Sequence, residues 1–238
     1  MWRQLLRVGP LAALIAYSAL MLWIEGTTSQ EYVRRYFTDI GRPTKAGFFA
    51  APTGDTVFYA VNTSLSSFLL GSAAMLLFFA VFARKDRWSR RDSLYLAQGA
   101  IFMWLSLDDR FMFHEHLGAL LGIPSTFILM AALAVNVAAY LAFFRPSYFN
   151  LRMAIILVCA GVAFVFMMIC DVLLPHDLYL RLSLEDLSKA WAGFAFLCFA
   201  WETARFRLIG EPAGEVPLTV TTAVLNRLPG PFAERLRS

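Results

Sequence analysis

The feature that most limits what this chain can become is a set of long apolar runs, repeated from one end towards the other. They occupy residues 8–24, 57–82, 93–113, 123–144, 153–174 and 186–206. The hydrocarbon core of a bilayer is about 30 Å thick, so a spanning helix needs roughly 20 predominantly apolar residues. Backbone amides cannot stay unpaired in lipid, which leaves helices and closed barrels as the only spanning structures. Barrel strands would show roughly ten-residue stretches of alternating polarity. These runs are continuous and about twice as long. The expected fold is therefore all-α: a polytopic transmembrane helical bundle of about six spans.

Composition agrees. The 238 residues are 59% hydrophobic and 16% charged, whereas soluble domains carry about a quarter charged residues. Disorder and a disulfide-rich secreted scaffold are excluded. Residues 1–206 are expected to form one transmembrane domain and 207–238 a cytoplasmic tail. The first run starts basic, as a signal peptide does, but its length and the weak Ala16-Tyr17-Ser18 triplet favour a retained anchor.

Basic residues set the expected sidedness. With the N-terminus inside, the inner segments hold 14 of the 21 Lys and Arg against six acids, a net +8. The outer segments hold seven against 11, a net −4. Both termini are thus expected on the cytoplasmic side of a cell inner or plasma membrane. The overall charge of +4 reflects this bias and not a nucleic-acid footprint. Membrane lipids are the expected partners. The one long outer loop, 25–55, is the expected surface for a protein partner, because loops of that length are often functional. Three cysteines, at 159, 170 and 198, all fall within spans and make no disulfide framework.

Ionisable residues inside a membrane are costly and are functional candidates for that reason. Here they gather at one depth. The third run reads LSLDDRFMFHEHLG over 105–118, and the sixth opens LEDLSKAW over 184–191. At about 1.5 Å per residue, Asp108, Asp171 and Lys189 all lie roughly 22–27 Å from the inner ends of their helices. An unbroken third helix would set Asp108 and Glu115 on one line, and Asp109 and His116 on another. Arg110 and His114 would then point the opposite way. Glu185 and Lys189 are spaced i,i+4, and Asp186 and Lys189 i,i+3, so both are neighbouring pairs. The third, fifth and sixth spans are expected to adjoin around an outward-facing polar pocket.

Three readings fit this layer. In the first, Asp108, Asp109, His114, His116, Asp171, Glu185 and Asp186 offer oxygen and nitrogen donors suited to a divalent metal such as zinc, iron or manganese. Such a metal could activate water to hydrolyse a lipid or related amphiphile. Glu115 would serve as general base, and Lys189 or Arg110 would stabilise the developing oxyanion. No HExxH spacing supports this reading. In the second, the acids and histidines relay protons or cations, although the inner halves of the spans are almost free of ionisable groups. In the third, the layer is an ion-pair lock in a non-catalytic subunit or assembly factor. Against the lock, seven acids face only three bases, Arg110, Arg181 and Lys189.

Overall fold

In a computed structural model of the chain, residues 2–29, 32–33, 37, 61–83, 87–145, 148–175, 178 and 180–209 are described. They form seven helices and, among the described residues, no strand. In chain order these are α1 (Trp2–Thr27), α2 (Val61–Phe82), α3 (Arg90–Phe111), α4 (Phe113–Leu121), α5 (Ser125–Phe143), α6 (Leu151–Val172) and α7 (Arg181–Ile209). The tail beyond Ile209 and most of the loop 25–55 lie outside the described residues, as do His176 and Asp177.

Four helices are long and apolar enough to cross a membrane: α1 over Val8–Thr27, α2, α5, and α6 over Leu151–Asp171. They match four of the six runs. The other two runs became α3 and α7, which carry more charge. At 22 and 29 residues, these helices are about 33 and 44 Å long. Several of their charged groups, among them Asp92, Asp108, Arg181, Glu185, Asp186 and Glu202, are buried in the bundle.

Local sequence sets the helix ends. Ser89 and Asp92 form a capping box at the start of α3: the Ser89 side chain accepts from the Asp92 amide, and the Asp92 carboxylate accepts from the Ser89 amide. Asn150 caps α6 by accepting from the Met153 amide at 2.8 Å. Gly122, at φ 66°, ends α4 in the left-handed region that glycine enters freely.

The centre of the bundle is α2. It packs along α3 on one side and along α7 on the other, and α7 in turn packs on α6. Small residues allow the close approach between α2 and α3. The Ser67 hydroxyl donates to the Ser106 carbonyl at 3.0 Å, and the Ser106 hydroxyl returns a bond to the Ser67 carbonyl at 2.7 Å. Further along, Gly99 lies against the Phe78 ring so closely that an added Cβ would sit 2.6 Å from it. The main core joins Leu77, Leu94, Tyr95, Phe102, Met153 and Phe199. α6 and α7 adjoin as the sequence suggested. α3 instead meets α7 around α2, through Phe102 and Phe196, whose ring centroids are 4.6 Å apart.

Candidate functional site

The polar layer assembles where the start of α2, the end of α3, the end of α6 and the start of α7 come together, with α1 alongside. Its first component is a chain of charges along α7. Lys189 Nζ lies 3.1 Å from Glu185 and 4.0 Å from Asp186. Glu185 also lies 3.6 Å from Arg181, and Arg181 lies 3.4 Å from Asp171 on α6. Arg181 is only 3% exposed. Its guanidinium donates to the Cys170 carbonyl at 3.0 Å and to the Asp171 carbonyl at 2.8 Å. Carbonyls at a helix C-terminus have no partner within their own helix. Arg181 therefore closes the end of α6 as well as neutralising two acids.

A second component ties three helices together. The Tyr17 hydroxyl of α1 donates to the Asn62 side-chain oxygen on α2. The Asn62 amide then donates to Asp186 at 2.8 Å. Trp191 Nε1 donates to Ser18 Oγ at 3.0 Å, which also binds α1 to α7. At the far end of α1, the fully buried Glu25 accepts from the Ser183 amide at 3.1 Å. A carboxylate at that point satisfies a free amide in the first turn of α7 and suits the positive end of its dipole.

The third component departs from the helix-phase expectation. Helix α3 does not continue through the HEH stretch. Met112 adopts φ 51°, ψ 42°, in the left-handed region, and a new helix starts at Phe113. The expected lines from Asp108 to Glu115 and from Asp109 to His116 are thereby lost. His114, expected on the opposite side from Asp108, turns back onto it. The Asp108 carboxylate accepts from the His114 amide at 2.7 Å and lies 2.7 Å from its ring Nδ1. Asp108 thus satisfies one of the free amides at the start of α4. Burial by itself opposes protonation of the His114 ring. The hydrogen bond to Asp108, its charge and that of Glu115 outweigh this and hold the imidazole above its ordinary pKa. His116 Nδ1 lies 2.8 Å from the Met112 carbonyl, within its own first turn.

Asp109 accepts from the Ser66 hydroxyl on α2, and it lies near enough to Lys189 and Asp186 to interact electrostatically. Arg110 sits on a different face. It is exposed and makes no ion pair or hydrogen bond to another described residue. Among the described residues, no three His, Cys, Asp or Glu side chains gather closely enough to hold a metal ion. Asp171, Glu185 and Asp186 are each met by a cation of the chain, and Asp109 by a hydroxyl.

Sequence reasoning missed several participants. Tyr17 and Ser66 stood inside apolar runs and were not named as members of the layer. Arg181 was counted among the bases of the layer but placed in a loop, because the sixth helix was expected to begin at Asp186; it begins five residues earlier and brings Arg181 into i,i+4 register with Glu185. A second ion-pair group lies at the opposite end of the bundle. Arg207 Nη2 donates to Asp92 at 2.7 Å, and the buried Glu202 lies 3.2 Å from Arg152 and 3.5 Å from Arg205. The available signal was an acid, Glu202, deep within the sixth run and one turn from the basic residues near its end.

The chain belongs to a family whose description is a domain of unknown function (DUF8692); the family model matches residues 8–202, from α1 through most of α7. No curated protein and no solved structure matches the chain.

Proposed function

We propose that this family member is a non-catalytic integral membrane subunit or assembly factor whose acid layer is an ion-pair lock. In this reading it crosses an inner or plasma membrane six times, with both termini inside. α3 and α7 are the two polar spans, shielded by their neighbours. The observation that carries the reading is the partnering of the acids. Asp108 is held by His114, Asp171 and Glu185 by Arg181, and Glu185 and Asp186 by Lys189. These pairs give four of the seven acids of the layer a partner within the chain. Groups committed to one another in this way suit helix registration better than turnover. The loop 25–55 is the surface proposed for a protein partner.

Alanine at Asp109 and at Glu185, made separately, tests the reading. In a lock, each change lowers the yield of folded protein and its melting temperature in detergent. If both variants fold and melt as the wild type does, the lock is wrong. The layer would then be free for chemistry, and metal-dependent hydrolysis or a proton or cation path would take its place.

A further inference from the structure

A groove of about 820 Å³ runs along the outside of the bundle between α2 and α3, with Trp201 of α7 among its lining residues. This volume lies within the range of small-molecule sites, roughly 300–1,000 Å³. Its α2 wall is one helical face: Ser67, Gly71 and Met75, with Phe68, Ser72 and Phe79, recur at the three- and four-residue spacing that aligns side chains. The serines and the glycine leave the space. Adding a Cβ at Gly71 would bring it within 3.1 Å of Ser106 Oγ, so the two backbones are already close. Leu107 and Phe111 of α3 continue the apolar wall.

One charged side chain lines the groove. It is Arg110, at the end where the polar layer lies. Every other cation of that layer is engaged: Arg181 with Asp171 and Glu185, and Lys189 with Glu185 and Asp186. Arg110 is exposed and has no such partner among the described residues. From Ser67 to Phe79 the groove extends twelve residues along α2, or about 18 Å. Half of a bilayer's hydrocarbon core is about 15 Å. The groove is thus one leaflet deep, apolar along its length, and headed by a guanidinium without an ion-pair partner among the described residues.

We infer that this groove binds one anionic phospholipid, with an acyl chain along α2 and the headgroup phosphate on Arg110. Charge complementarity selects the occupant. A guanidinium presents paired N–H donors matched to phosphate oxygens, and its long stem reaches the interface while the apolar lining meets the chain. The inference rests on the membrane placement of α2 and α3. It does not depend on the lock, because Arg110 belongs to neither its ion pairs nor its hydrogen bonds.

The test is native mass spectrometry of the full chain in detergent, offered equal amounts of phosphatidylglycerol and phosphatidylcholine with identical acyl chains. One basic residue near a membrane surface is worth about fivefold in preference for anionic lipid. The wild type should therefore retain phosphatidylglycerol about fivefold over phosphatidylcholine. Arg110→Gln should bring that ratio to unity, and Arg110→Lys should keep most of it. Ser72→Phe, which fills the groove, should lower retention of both lipids. Melting temperature is measured alongside; Arg110→Gln should match the wild type, which separates this result from any failure of the lock. An even ratio in the wild type, or a preference that survives Arg110→Gln, overturns the inference. So does retention of both lipids at the wild-type level in Ser72→Phe.

Discussion

Arg181 gives the sharpest forecast, because its surroundings can be counted. Replacing it with Met keeps most of the stem and removes the guanidinium. Two hydrogen bonds to the carbonyls at the end of α6 are lost, at about 1 kcal/mol net each. Asp171 is 43% exposed and can turn to solvent, whereas Glu185 is 12% exposed and keeps Lys189 as a partner. The cost of orphaned acids therefore falls below the roughly 3–5 kcal/mol of a fully buried pair broken on one side. About 3 kcal/mol in total is expected. For a chain of this size that corresponds to a fall in melting temperature of about 6–12 °C. Thermal unfolding in detergent, followed by near-ultraviolet circular dichroism, reads it directly. Arg181→Lys should recover about half, since an ammonium keeps the charge but lacks the fork that reaches both carbonyls. A melting temperature for Arg181→Met within 1–2 °C of the wild type would refute the idea that this residue secures the junction of α6 and α7, since a loss of about 3 kcal/mol cannot hide in so small a shift.

The Asp108–His114 pair should make stability depend on pH. The folded imidazole has a raised pKa, so its contribution is complete below the unfolded value, about 6.5, and disappears as pH rises through the folded value. The wild-type melting temperature should fall between pH 6 and pH 9 more than that of His114→Gln; parallel profiles would contradict the pair. Chelator added to protein purified without it should leave the melting temperature unchanged, because the acids have partners within the chain; a fall on chelation, reversed by zinc or manganese, would restore the metal reading. Asn62→Ala should cost about 0.6 kcal/mol, the mean for an interhelical polar contact in a membrane, and at most about 1.7, and a melt equal to the wild type's would remove Asn62 from the relay between α1 and α7.

Much of the architecture was legible because hydrophobic runs respond to bilayer thickness. The runs at 57–82, 123–144 and 153–174 became α2, α5 and α6 with shifts of only a few residues. That Asp109, Asp171, Glu185 and Asp186 gather at one end of the bundle was legible too, since helical rise is constant. Their partners were not. Which cation meets which acid depends on helix starts and on neighbours far away in sequence. Arg181 follows Pro175, which disrupts helices, and so it read as loop. The break at Met112 had no local signature: DDRFMFHEH contains neither glycine nor proline. A non-glycine residue in the left-handed region costs about 1–3 kcal/mol. It is sustained there by Asp108, which engages both the backbone and the ring of His114. That compensation is tertiary in character and invisible to periodicity. Arg110 was placed on the opposite side from the acids by periodicity, and it makes no ion pair with another described residue.

A double-mutant cycle at Glu185 and Lys189 bears most directly on whether the acid layer is a lock. Glu185→Gln takes one of two carboxylates from Lys189, and Lys189→Met takes one of two cations from Glu185, whereas the double variant removes both members of the pair. The account predicts that each single change is destabilising and that the double variant is less so than the two combined, by about 1–3 kcal/mol in thermal unfolding. Singles that unfold like the wild type, or effects that simply add, would contradict it.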